Sequence, residues 1–370
     1  MIQDTSSALP PSDEEQIYWL AFSQLSGLGA NRFLQLLRVC PDLKSAWKNW
    51  RDICPLLPWP ATIKQTISWS MSKVDPGRIA ETLSRAQVQF ICLNQPQYPR
   101  LLKEINDPPP VLYFTGALPD TQHSIIAVVG TRKASTYGKQ CATDIVSPLA
   151  RRGIVIVSGL AYGIDSHAHD AALEADGLTW AVLGGGVHCL SAHQLERSQS
   201  IIHRGGTLLS EFPPDWQPRK EFFPMRNRII AGLVQAAVII EAPARSGALI
   251  TARFALDYNR DVLAVPADIY RASSQGCNNL IAQGAKVVTK AEDVLEALNL
   301  SAEQVYAAPQ LPLSENQKKL TDLLRVEPLT VDQIAEKCTL GISVINSTLS
   351  ELLLIEAIRQ IDPHTYTLNL

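Results

Sequence analysis

Short apolar runs that alternate with helical stretches occupy the middle of this chain, and they narrow what it can fold into. Residues 125–130 read IIAVVG, 154–158 IVIVS, 180–184 WAVLG, 237–241 AVIIE and 262–266 VLAVP. None of these runs alternates apolar with polar residues, so each is expected to be a strand covered on both faces. Helical stretches fall between them, at about 137–152, after Asp165, at about 192–203 and from about Gly247. This alternation predicts an α/β class and a Rossmann-like, doubly wound, mostly parallel sheet.

The sheet region is expected over residues 101–300. Before it, residues 1–100 read as a helical domain with Pro-rich joints. After it come a linker at 301–313 and a small domain at 314–370. The last of these shows helical stretches at 315–324, 331–337 and 342–354. Its tail, IEAIRQIDPHTYTLNL, alternates around Asp362, Pro363 and His364 as a hairpin would. Three helices and a hairpin predict a winged helix, a variant of helix-turn-helix. Its third helix, 342–354, contains no Lys or Arg, which argues for a protein contact rather than a DNA groove.

The 370 residues carry a net charge of −3, so any nucleic-acid role must rest on a local basic patch. The seven cysteines are scattered without a C-x-x-C pair, which disfavours zinc ribbons and disulfide frameworks. The opening segment MIQDTSSALPPSDEE has no basic n-region and no apolar h-region, and no run reaches the length of a membrane span. The expectation is a reduced, cytoplasmic protein with no membrane partner.

In a doubly wound sheet, ligands sit at the carboxyl ends of the strands. Four glycine-containing turns fall there: Gly130-Thr131-Arg132, the segment from Ser158 and Gly159 to Gly163, Gly184-Gly185-Gly186, and Arg245-Ser246-Gly247. Such turns bring backbone N–H groups close to an anion, and the next helix adds its positive end. One turn of this kind is an ordinary strand-to-helix connection. Four on one edge favour a phosphate-bearing ligand. None fits G-x-G-x-x-G or G-x-x-x-x-G-K-[ST], so a dinucleotide cofactor or a triphosphatase is disfavoured.

Arg132, two residues past a strand end, is placed to fork onto a phosphate. The missing basic patch is the segment 219–228, RKEFFPMRNR, which mixes cations with aromatic rings. Cations neutralise phosphates and a ring stacks on bases of any sequence. One of Phe222 and Phe223 is expected in the core. His167 and His169, two apart on a helix, diverge and would not share a metal, so none is expected. Asp165 suits a helix N-cap. Ser158, Ser246 and Thr251 show no spacing that supplies a His base and an acidic partner. No catalytic residue or cofactor is assigned. Near the N-terminus, Leu25-Ser26-Gly27-Leu28-Gly29-Ala30 fits either a helix-hairpin-helix turn that offers N–H groups to a phosphate or a plain helical turn.

Together these residues resemble the DprA (DNA-processing protein A, also called Smf) family. The resemblance runs through Tyr98-Pro99, DPPPVLY (107–113), GTR (130–132), SGLAYGID (158–165), Ala168-His169 and AVLGGG (181–186). It continues through SEFP (210–213), FPMRNRIIAGL (223–233), EAPARSGALITA (241–252), AVP (264–266) and GCNNLIAQGA (276–285). It implies sequence-independent binding of single-stranded DNA, protection of incoming strands and loading of the RecA recombinase in natural transformation, by a homodimer. By similarity, Arg132 and Phe223 in the matching stretches, and Lys220 in the variable segment between two of them, are implied as phosphate-binding and base-stacking residues. Gly130, Thr131, Ser158, Gly159, Gly163, Arg226, Asn227, Arg228, Ser246 and Gly247 complete the implied DNA-binding set. Two departures stand out: the family's usual Tyr-Pro after Gly186 is replaced by VHCLSAHQLERS, and its usual Pro-Gly is Pro266-Ala267.

Two other readings use the same fold. One is a nucleoside-monophosphate hydrolase, whose P-G-G-x-G-T-x-x-E signature finds only Ala244–Thr251 here, without the Gly pair or the Glu. The other is a sensor in which the pocket holds a small nucleotide and the winged helix binds duplex DNA.

Overall fold

The apolar runs become strands of one sheet. The computed structural model describes residues 14–118, 123–300, 314–326, 328–338, 340–354, 358–362 and 365–368. The linker expected at 301–313 lies outside the described residues, as do Pro363 and His364 of the expected hairpin turn. The chain divides into two compact units, one up to residue 308 and one from 309 onward.

Among the described residues of the first unit, nine strands form the sheet. They are β1 (Gln89–Cys92), β2 (Val111–Gly116), β3 (Ile125–Val129), β4 (Val155–Ser158), β5 (Thr179–Val182), β6 (Thr207–Ser210), β7 (Ala236–Ile239), β8 (Asp261–Ala264) and β9 (Lys286–Val287). Their order is β1-β2-β6-β5-β4-β3-β7-β8-β9. The pairs from β6 to β9 are parallel, and β2 runs antiparallel to both β1 and β6. From β3 the chain builds to one side through β4, β5 and β6, then crosses back to lay β7 and β8 on the other. The order therefore reverses between β3 and β7, which leaves a crevice at their carboxyl ends.

The continuous apolar runs follow from this architecture. Successive side chains on a strand point to opposite faces. Ile126 and Val128 pack on one face with Ile156, Val238 and Leu263, beneath the helices Thr136–Arg151 and Ile164–Glu174. Ile125, Ala127 and Val129 pack on the other with Val157, Ala237 and Ala264, against the helices Phe222–Gly232 and Gly247–Asp257. Both faces are dry, so neither can be polar. The second of these cores continues into the N-terminal helices. There Trp19, Phe22, Phe33, Trp50 and Trp59 are buried, and the Phe22 and Trp47 rings meet edge to face at 5.0 Å. The Tyr113 hydroxyl in β2 shares a 2.8 Å hydrogen bond with Ser23.

The second unit is a winged helix. Helices Glu315–Val326, Val331–Lys337 and Ile342–Leu354 accompany a three-stranded sheet of β10 (Leu329–Thr330), β11 (Ile358–Asp362) and β12 (Thr365–Leu368), in the order β10-β12-β11. Leu320, Leu324, Ile334, Ile345, Leu349 and Leu352 fill its core. Thr330 caps the middle helix: its hydroxyl accepts from the Gln333 amide at 3.3 Å, and the Gln333 side chain accepts from the Thr330 amide at 2.9 Å.

His169 is wholly buried in the helix Ile164–Glu174. The Thr179 hydroxyl donates to the Ile156 carbonyl at 2.7 Å, so it accepts from His169 Nδ1 at 2.7 Å and fixes the neutral tautomer. Burial, aided by the positive charge of Arg197, pushes the imidazole down to about 3. The unfolded chain therefore binds the extra proton between about pH 6.5 and pH 3, and stability falls as the pH drops through that window. The loss from this one group is at most about 1.4 kcal/mol per pH unit. Urea denaturation of the protein and of H169Q between pH 7.5 and 5 should show the stability gap between them shrinking as the pH falls. A gap independent of pH would contradict this account.

Candidate functional site

The crevice between β3 and β7 opens into a cleft of about 530 Å³. That volume is in the range of small-ligand sites, ~300–1,000 Å³. Its walls come from the turn after β3, the turn after β7 with the start of the helix Gly247–Asp257, and one face of the helix Phe222–Gly232.

The turn after β3 is held from two sides. The ladder with β7 continues past both strand ends, with the Ile240 amide donating to Val129 at 3.1 Å and the Thr131 amide donating to Glu241 at 2.7 Å. From below, Gly163 lies against the carbonyls of Thr131 and Arg132 with φ +82°, where a Cβ would collide with both. The Ile164 amide donates to the Thr131 carbonyl at 3.2 Å. With its backbone pinned, Arg132 extends an exposed side chain, its guanidinium carbon 5.3 Å from the centre of the Phe223 ring.

Helical periodicity sorts the basic segment. Phe223, Arg226, Asn227 and Ile230 share one face at i, i+3, i+4 and i+7, and all line the cleft. Phe222 turns away into the core and stacks on Phe212 at 4.1 Å between centroids, as expected for one of the two rings. Arg228 also turns away. It donates to the Asp107 carbonyl at 2.7 Å and is ion-paired to the carboxylates of Asp107 and Glu211. Arg228, one of the implied DNA-binding residues, thus has its guanidinium engaged within the fold and does not line the cleft.

Arg226 lines the floor but is buried. Its Nη1 donates to the carbonyls of Gly159, at 2.6 Å, and Val182. A Cβ on Gly159 would lie 2.6 Å from both terminal nitrogens, so Gly159 is what makes room for this guanidinium. Burial pulls the Arg226 pKa down to about 10, opposed by the Asp165 carboxylate, so it stays charged at neutral pH. Asp165 is not the N-cap, which is Gly163. Its buried carboxylate accepts from the Gly159 amide at 3.2 Å. Burial raises its pKa against the pull of Arg226 and the neighbouring amides. These two opposite charges offset one another beneath the cleft.

The charges at the mouth have no such counterpart. Among the described residues, no carboxylate lies within ion-pairing distance of Arg132, Lys220 or Arg245, and all three are exposed lining residues. Gly247 opens the helix Gly247–Asp257 at the same mouth, and Ser246 caps it by accepting from the Ala248 amide at 3.3 Å. The Asn227 side chain donates to the Gly247 carbonyl at 3.1 Å and ties the two helices together. Gly130 and Thr131 complete the lining on the β3 side. Ser158 does not face the cleft, because its buried hydroxyl donates to the Val128 carbonyl at 2.6 Å. Gly159 and Gly163 act on it only through the backbone. Arg245 was visible in sequence as part of a turn, yet nothing in the sequence marked its side chain as free. Among the described residues, no three His, Cys, Asp or Glu side chains cluster to hold a metal.

The two departures from the family pattern lie off the lining. The loop after Gly186 packs on the segment 213–216, where the His188 amide donates to Pro214 at 3.1 Å. The Ala267 amide and carbonyl are both bonded by the Asn278 side chain, at 3.2 and 2.9 Å.

Fold and cleft define a doubly wound α/β protein whose switch-point crevice offers uncommitted cations and an aromatic ring. A sequence profile described as DNA recombination-mediator protein A matches residues 89–299, and one described as DprA winged helix domain matches 304–361. Protein Smf of Synechocystis sp. is 33% identical over 389 aligned positions, covering 94% of this chain and 98% of that protein. The crystal structure of DNA processing protein A (DprA) from Streptococcus pneumoniae superposes with a TM-score of 0.65 at 33% identity, covering 77% of this chain and 97% of that one. A Helicobacter pylori DNA processing protein A, solved for its single-stranded DNA binding mode, gives 0.50 at 28% identity, covering 57% and 96%. The chain belongs to the DprA/Smf family of DNA recombination-mediator proteins. Among the described residues, no helix is long and apolar enough to cross a membrane.

R228M should leave Glu211 without its partner in a site where only 10% of that side chain is exposed. Losing one member of a buried pair costs about 3–5 kcal/mol, and urea denaturation at pH 7 should show a loss of that order. A loss below about 1 kcal/mol would show that the pair does not anchor the fold.

Proposed function

We propose that this chain binds single-stranded DNA without sequence preference, in the crevice between β3 and β7. The observation that carries the reading is the set of three uncommitted cations, Arg132, Lys220 and Arg245, around the cleft-lining ring of Phe223. Cations spaced along a groove follow a phosphate backbone, and a ring accepts any base by stacking. The single-stranded DNA binding of the Helicobacter pylori relative supports the same reading.

Family membership further supports a role in DNA processing, with protection of incoming strands and loading of RecA recombinase during natural transformation. A homodimer working in the cytoplasm belongs to the same reading. No chemical step is assigned to the cleft. A mononucleotide sensor or hydrolase would use the same phosphate contacts, but Phe223 with three separate cations suits a polymer better than one small anion.

R132A should weaken binding to an oligothymidine by ~10-fold or more, the worth of one charge-assisted contact. It should also flatten the slope of log affinity against log salt by about 0.7. F223A should lose about 5- to 100-fold with the salt slope unchanged, because stacking releases no counterions. Both are read by fluorescence anisotropy at several salt concentrations. Unchanged affinity in R132A would remove the basis for this cleft.

A further inference from the structure

Tyr162 stands beside the cleft and is not one of its lining residues. It lies between Ala161, a lining residue, and Gly163, which supports the Arg132 turn. It is 57% exposed. Its ring is stacked on the imidazole of His193, with centroids 3.9 Å apart and planes at 15°. With one face covered and more than half of the residue open, the opposite face meets solvent.

The support beneath that ring is fixed. The Ser166 hydroxyl donates to the Ala161 carbonyl at 2.6 Å, so it accepts from His193 Nε2 at 3.1 Å. His193 sits in the first turn of the helix Ala192–His203, whose Gln194 donates to the Leu160 carbonyl at 3.1 Å. Loop and helix thus hold each other, and the two rings are locked parallel before any ligand arrives. A ring presented flat on a rigid support loses little freedom when a base settles on it. The segment follows β4, one strand spacing of about 5 Å from β3.

We propose that Tyr162, backed by His193, is a second base-stacking platform for the nucleotide next to the one held by Arg132 and Phe223. The strand then runs along the carboxyl edge of the sheet, from the crevice toward β4. This inference rests on the single-stranded DNA reading above.

The test is a titration of the full chain and of Y162A, Y162F and R132A with oligothymidines of increasing length. It is paired with photocrosslinking of a 5-iododeoxyuridine oligonucleotide and mass mapping of the adducts. Y162A should lose ~5-fold or more in affinity for long oligonucleotides and little for the shortest that bind. Y162F, which keeps the ring, should stay within about 2-fold of the unmodified chain, and an adduct should map to Tyr162. If R132A weakens binding while Y162A matches the unmodified chain at every length and no adduct forms on Tyr162, the platform is wrong and the cleft stands. If R132A also binds normally, the cleft reading itself fails and the platform falls with it.

Discussion

Everything at the cleft depends on β3 and β7 lying side by side, in parallel, at the point where strand order reverses. The ladder between them runs on past the strand ends, through the bonds from Thr131 to Glu241 and from Ile240 to Val129. It therefore fixes the turn that carries Arg132 against the turn that leads to Arg245 and Ser246. Without that pairing the two cationic turns would have no common geometry. With it, the backbone positions are set by hydrogen bonds buried in the sheet edge, and the side chains at the mouth remain unspent.

Beneath the turns, a second constraint separates structural charge from available charge. Arg226 fills the space that Gly159 leaves and satisfies the Gly159 and Val182 carbonyls, with Asp165 as its buried counter-charge. Arg228, two residues later, is spent on Asp107 and Glu211. Burying a charge without a partner is prohibitive, so both arginines are committed to the fold. Arg132, Lys220 and Arg245 carry no such obligation. A chain of net charge −3 thus presents a positive mouth through which cations are left unpaired, not through an excess of them.

Much of this was legible in the sequence. The apolar runs announced the parallel strands, because a strand buried on both faces cannot alternate. The strand-end turns announced the edge where the site lies. The short strands β1 and β6, QFIC and TLLS, mix polar and apolar residues over four positions and gave no periodic signal. The helix Phe222–Gly232 was hidden in a different way. Its Pro224 lies in the first turn, where proline costs no hydrogen bond, yet in sequence it reads as a break. Without that helix the segment is a basic stretch of equal members. With it, Phe223, Arg226 and Asn227 face the cleft while Phe222 and Arg228 face away. Asp165 reads differently for a related reason: its N-cap chemistry suits a helix start, but the tight Gly163 turn caps the helix two residues earlier.

We propose that the crevice takes a single-stranded polymer rather than a duplex or a small nucleotide. An anisotropy titration of the full chain with an unstructured oligothymidine, its duplex counterpart and thymidine monophosphate, at two salt concentrations, tests it most directly. The expected result is tight binding to the single strand alone, weakening as salt rises because counterions are released from the phosphates. Equal binding of the duplex, or binding confined to the mononucleotide, would contradict it.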